Sequence, residues 1–178
     1  ECRGREDVAG FLPTLRKVVE LKRAEGAALA AGGDPYDALI DDYEPGATAD
    51  SLGALFGALR PRLVALRARV LDAAPPMALT GAFGEEGQLA LSRELALAFG
   101  YDLSRGRIDK AVHPFSSGSG NDVRITTRVS ETDPFNCFYS TVHEVGHATY
   151  EQNIGQAHLL TPVGQGVSMG VHESQSRI

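Results

Sequence analysis

Two histidines, His143 and His147, stand four residues apart with Glu144 directly after the first, in the stretch Thr141-Val142-His143-Glu144-Val145-Gly146-His147-Ala148. On an α-helix that spacing projects both imidazoles from one face on successive turns, where two ring nitrogens can grip a single cation. The Glu144 carboxylate beside them can act as general base, taking a proton from a water that such a cation acidifies. A lone helical histidine is most often structural. Two in this frame, with a glutamate between them, point to a metal site.

This chemistry needs a helix to hold it. Asp133-Pro134 predicts the start, with Asp capping the first free amides and Pro fitting the first helical position, and the helix is expected to reach Glu151. Phe135, Phe138, Val142, Val145 and Thr149 form the predicted packing stripe, which leaves the histidines on the other side with Asn136, Ser140 and Glu151.

A catalytic zinc site usually takes three protein ligands and keeps one position open. The extended pattern HExxHxxGxxH is excluded, because Tyr150 and Asn153 stand where its Gly and last His would be. Glu151, Glu173 and the loop residue His158 are the candidates for the third ligand. Glu151 lies two turns beyond His143 on the same helix, a poor geometry for converging on one ion. Glu173 is preferred: it sits on a following helical segment containing Met169, Val171, His172, Ser174 and Gln175, reached through the loop Thr161 to Gly166.

Upstream, Val8, Phe11, Leu12, Leu15, Val18, Val19 and Leu29 predict a long amphipathic helix from about Arg5 to Ala31, ending near Gly32-Gly33. Asp34-Pro35 opens a short helix, and Asp41 to Gly46 is read as a polar turn. Thr48 or Asp50 caps another helix that Pro61 should kink or restart and Pro75-Pro76 should end. A glycine-rich linker, Gly81 to Gly87, precedes a helix from about Gln88 to Phe99 whose apolar residues are expected in the core. Alternating β-branched and polar residues predict strands over 106–109 and 121–129, with 113–118 as the loop between them. The expected fold is mainly α, with a small antiparallel β-sheet beside the active site.

With 43% hydrophobic and 22% charged residues, the 178-residue chain reads as folded rather than disordered. A formal charge of −6 argues against a nucleic-acid partner. No apolar run is long enough to span a bilayer, and Glu1 to Asp7 lacks the apolar core of a signal peptide, so a cytoplasmic location without membrane attachment is expected. Cys2 and Cys137 form no disulfide framework, and Cys137 reads as a small packing residue.

Four motifs occur in order: His113-Pro114-Phe115, Asp122-Val123-Arg124-Ile125-Thr126, His143-Glu144-Val145-Gly146-His147 and His172-Glu173-Ser174-Gln175. Their order and spacing resemble the M32 metallocarboxypeptidases, the family of the thermostable carboxypeptidase from Thermus, and Asp41 to Gly46 is similar too. The resemblance implies His143, His147 and Glu173 as metal ligands and Glu144 as general base. It implies His113, Asp122 and Arg124 as substrate-side residues, and one divalent ion, zinc or cobalt. It also implies a homodimer that removes C-terminal residues one at a time from peptides with a free C-terminus, in the helical gluzincin architecture of neurolysin and angiotensin-converting enzyme. Two further family motifs, IRxxAD and GxxQDxHW, are absent, so residues 1–178 are expected to be a partial catalytic domain. Within it lie a helical region (1–100), a small β region (101–130) and the metal-binding helices (131–178), with the C-terminal remainder missing. The alternatives are an endopeptidase or dipeptidase on the same scaffold, or a catalytically inert, truncated metal-binding fragment.

Overall fold

Side-chain caps set the helix starts in Glu1–Pro75, the first of two compact units into which the chain divides; the computed structural model describes residues 2–177. Helix α1 (Val8–Leu29) starts where the Asp7 carboxylate accepts the Gly10 amide at 2.8 Å. Asp34 caps α2 (Pro35–Asp41) through the amides of Tyr36 and Asp37. The polar turn after α2 closes on itself, the Gly46 amide donating to Asp41 at 2.7 Å. Of the two expected caps for α3 (Ala49–Asp72), Thr48 is the one used: it exchanges side-chain and backbone bonds with Ser51 in a capping box. The helix continues through Pro61 without interruption. One missing amide removes one hydrogen bond, and the intact turns on either side carry the helix past it.

The second unit, Pro76–Ile178, holds the predicted site. Helix α4 (Glu85–Ala98) begins three residues earlier than the sequence suggests, because Glu85 and Glu86 suit the positive end of a helix and Gly84 serves as N-cap. Its buried stripe is Gln88, Ser92 and Ala96, while Leu91, Leu97 and Phe99 are exposed, contrary to the expectation of an apolar core face. Small and hydrogen-bonding residues suit this face. Ser92 Oγ meets Cys137 Sγ at 3.2 Å, and Gln88 Nε2 donates to the carbonyls of Phe83 and Ser130.

Three strands, β1 (Ile108–Lys110), β2 (Ser116–Ser119) and β3 (Asp122–Thr127), form a sheet in the order β1-β3-β2. The sheet is mixed rather than antiparallel: β2 and β3 pair antiparallel, with Ser117 opposite Arg124, but β1 runs parallel to β3. After β1 the chain crosses to the far side of β3 before turning back, so the returning strand lies beside β1 in the same direction. Strand β2 occupies part of the segment expected to be a loop. Serine and glycine carry little strand preference, and pairing with β3 supplies what composition does not. Gly118 (φ 115°) is required at the turn, where a Cβ would collide with the Asp122 carbonyl.

Helix α5 (Pro134–Gln152) spans the predicted metal helix. Asp133 stands at its N-cap but accepts no helix amide; Pro134 at the first position already removes one of the amides needing a partner. The buried stripe also differs from the expected one. It is Cys137, Thr141, Val145, Ala148 and Gln152, whereas Phe135 is exposed and Phe138, Val142 and Thr149 are only partly buried. Polar residues fit inside because they bond one another: the Thr141 and Thr127 hydroxyls lie 3.1 Å apart, and Thr127 donates to the Cys137 carbonyl at 3.0 Å. Cys137 is free and buried, in keeping with a packing role. Among the described residues, no helix is long and apolar enough to cross a membrane.

The core joins Ala96, Tyr101, Val123, Ile125, Val145 and Ala148, clamping α4 and β3 to the back of α5. Tyr101 Oη donates to the Val123 carbonyl at 2.6 Å, and burial pushes its phenol up to about 12. Removing that hydroxyl leaves a buried carbonyl with one partner fewer. Tyr101→Phe should therefore lower unfolding stability by about 1–2 kcal/mol, read as a lower denaturant midpoint at unchanged slope; an unchanged midpoint would show that the bond contributes nothing.

Candidate metal centre

His143 and His147 leave α5 on successive turns, beside the buried stripe, with side chains 32% and 17% exposed. Helix α6 (Met169–Gln175), capped by Ser168 through the Val171 amide, brings Glu173 to them. Glu173 Oε2 lies 3.2 Å from His147 Nε2, and Oε1 lies 4.0 Å from His143 Nε2. One ligand atom from each of the three falls within 4.8 Å of the others. Two imidazole nitrogens and one carboxylate oxygen are the donor types of a three-residue zinc site, so the residues fit such an ion. Neither Glu151 nor His158 joins this group.

The approach of α6 depends on Gly146, inside the HExxH stretch. A Cβ there would collide with the Gln175 carbonyl and the Ser176 Cα. Without a side chain, α5 lets the backbone of α6 rest directly on its surface, and Glu173 arrives within reach of the histidines. Arg177 also holds Glu173, with Nη2 at 2.8 Å and Nε at 2.9 Å from Oε1.

Burial shapes the site's charges. It holds His147 below the usual histidine range, assisted by the neighbouring rings of His172 and His143, and a neutral ring is the form that can ligate a metal. Burial works against Glu173 ionising, but the Arg177 hydrogen bond and the two histidines outweigh it, and its carboxyl falls below the usual range. Glu144 is 7% exposed, and burial raises its carboxyl; His143 and the backbone amide of Ser116, which bonds to it, pull the other way. Glu144 and His147 line a cavity of about 390 Å³ whose other wall is Pro114 to Gly118, including strand β2.

The three residues expected on the substrate side do not line that cavity. His113 is exposed in the loop before β2. Asp122 and Arg124 project from the solvent face of β3 and pair with one another, Nε to Oδ1 and Nη2 to Oδ2, both at 2.8 Å. That contact holds Asp122 below and Arg124 above their ordinary values. From the HPF segment it is Pro114 and Phe115 that reach the cavity wall.

Sequence reasoning missed two features here. The Ser116 amide is invisible because any residue carries one. His172 could have been found, since it stands in the quoted HESQ motif, but nothing in its spacing gave it a task.

A family model described as "Carboxypeptidase Taq (M32) metallopeptidase" matches residues 1–178. Thermostable carboxypeptidase 1 of Thermus thermophilus is 44% identical over 191 residues, covering 99% of this chain and 37% of the relative. Carboxypeptidase 1 of Bacillus subtilis is 39% identical, covering 99% of this chain and 36% of the relative. Among solved structures, an M32 carboxypeptidase from Deinococcus radiodurans superposes with a TM-score of 0.87 at 44% identity, over 99% of this chain and 36% of that one. The chain thus spans little more than a third of the length of the curated relatives it matches.

The helix contact at Gly146 yields a test. Gly146→Val should cost about 1–3 kcal/mol through overpacking and should weaken zinc binding along with it, because α6 carries Glu173. Zinc titration and thermal unfolding of the variant check both; tight zinc binding with a displaced or unfolded α6 would contradict the coupling.

Proposed function

Because this chain belongs to the M32 family of metallopeptidases, we propose that it carries the metal centre of a carboxypeptidase that hydrolyses the C-terminal bond of peptides. The observation behind this reading is the convergence of His143, His147 and Glu173 within 4.8 Å, next to the buried carboxylate of Glu144. His143, His147 and Glu173 would hold one divalent ion, zinc or cobalt, leaving a position open to the cavity. When bound, that ion supplies Lewis acidity, lowering the pKa of water and polarising a peptide carbonyl.

The chain's own groups supply the rest. Glu144 accepts the proton of the attacking water and delivers it to the departing amine, while the Ser116 amide fixes its carboxylate. Strand β2 is one of the two edges of the sheet and lines the same cavity through Ser116 to Gly118, so its backbone suits an extended peptide laid alongside it. A carboxypeptidase also needs a cation or donor for the substrate's free carboxylate. His113 and Arg124 are the candidates carried over from the sequence, although neither lines the cavity, and Arg124 would have to share its guanidinium between Asp122 and the substrate.

In this reading the parent protein has the gluzincin architecture of neurolysin and angiotensin-converting enzyme, acts in the cytoplasm and forms a homodimer. The identity of its relatives as carboxypeptidases supports an exopeptidase over an endopeptidase on the same scaffold.

Glu144→Gln should retain stoichiometric zinc while peptide hydrolysis falls by about 10²-fold to 10⁴-fold, the usual contribution of a positioned base; wild-type turnover in that variant would refute the role. Separately, a peptide with a free C-terminus should be cleaved far faster than its C-terminal amide, with release of single amino acids. Equal rates on the two would point to an endopeptidase.

A further inference from the structure

Along α5, His143, His147 and Glu151 follow one another at intervals of four, and α6 inserts His172 between the last two. His172 Nδ1 lies 2.8 Å from His147 Nδ1, and His172 Nε2 lies 2.9 Å from Glu151 Oε1. The far nitrogen of His147, Nε2, is the one that faces Glu173. We infer that His172 and Glu151 are positioning residues, which together fix the tautomer of His147 that offers its Nε2 lone pair to the metal. The inference rests on the metal-centre reading above.

The argument is one of counting protons. Each neutral imidazole carries one N–H and one lone pair, and a bond between two Nδ1 atoms needs one of each. If His147 holds its proton on Nδ1, it donates to His172 Nδ1; the proton of His172 must then be on Nε2, where it donates to the Glu151 carboxylate. Both bonds of the chain are then made, and the His147 Nε2 lone pair, 3.2 Å from the Glu173 carboxylate, needs a cation between the two, so this arrangement suits the metal-holding state. In the reverse arrangement His172 donates from Nδ1, and its bare Nε2 lone pair faces an ionised carboxylate at 2.9 Å, two acceptors with no hydrogen between them. With a cation held between His147 and Glu173, Glu151, one turn beyond His147, therefore favours the first arrangement. A carboxylate that cannot reach the ion as a ligand acts on it through two rings, extending the carboxylate–histidine–metal motif by one imidazole.

The surroundings hold His172 in place for this task. Its ring centroid is 4.7 Å from that of Tyr150 and 4.9 Å from that of His147. Tyr150 Oη accepts the Val167 amide at 3.2 Å, and a Cβ on Gly166 would stand 3.2 Å from the His172 ring. His172 and Glu151 are 25% and 19% exposed in their side chains, shielded enough for the bonds to compete with water.

Long-range ¹H–¹⁵N spectra of the histidine-labelled, zinc-loaded protein read the tautomers directly. They should show His147 protonated at Nδ1 and His172 at Nε2. In Glu151→Gln, whose amide can donate as well as accept, zinc affinity should fall, because His172 is no longer held as the acceptor for His147 Nδ1–H. Zinc affinity, measured by competition with a chelator, should fall by about 10-fold to 100-fold in His172→Phe, which keeps the ring packing but loses the acceptor. His172→Asn, whose amide oxygen can stand where Nδ1 does, should recover part of the loss. A His172 ring protonated at Nδ1 in the zinc-loaded protein, or unchanged zinc affinity in both His172 variants, overturns the positioning role while leaving the metal centre intact. Failure of the unsubstituted protein to bind one equivalent of zinc overturns the metal-centre reading beneath it.

Discussion

The bare backbone of Gly146 is the constraint on which the second unit turns. The helix that carries His143 and His147 on successive turns must also let another helix touch it between them, and a single Cβ at this position would occupy the space taken by the Gln175 carbonyl and the Ser176 Cα. Glycine inside a helix costs about 1 kcal/mol of intrinsic stability relative to alanine. Here that cost is offset by a contact that nothing larger permits, and the contact sets how far Glu173 reaches. The spacing of the two histidines supplies a pair of nitrogens; the missing side chain between them lets a third donor arrive.

The helix beneath them works in two directions. Its inner side meets α4 and β3 through Cys137, Thr141, Val145 and Ala148, where the hydroxyls of Thr127 and Thr141 satisfy one another and the Cys137 carbonyl. Its outer side carries His143, His147 and Glu151. Glu144 lies at the border, buried enough that ionisation is opposed yet open to the cavity and tied to the edge strand by the Ser116 amide. One helix thus anchors the core and presents the chemistry, and α6 couples to both functions through Gly146, Glu173 and His172.

The sequence made some of this legible and concealed the rest for physical reasons. Local signals survived well: Asp34 and Thr48 cap their helices because capping involves residues two or three positions away. The i, i+4 pair in α5 could be read for the same reason. Long-range pairing was less visible. Ser116 to Ser119 is a strand only because β3 lies beside it, and the parallel partnership of β1 with β3 depends on a crossover that composition does not encode. Hydrophobic periodicity misled in α4 and α5, where close packing selects serine, threonine, alanine and cysteine over leucine and phenylalanine. Asp122 and Arg124 were readable as chemically capable, and the structure shows them bonded to each other, two side chains on the same face of one strand.

What unites these observations is a set of three donors, two nitrogens and an oxygen, drawn from two helices to within 4.8 Å of one another. X-ray absorption at the zinc edge of the metal-loaded protein reads that set most directly. The account predicts two imidazole nitrogens and carboxylate or water oxygens at about 2.0–2.2 Å, with no sulfur shell. A sulfur neighbour near 2.3 Å, which would bring in a cysteine, or a shell with a single imidazole, would contradict it.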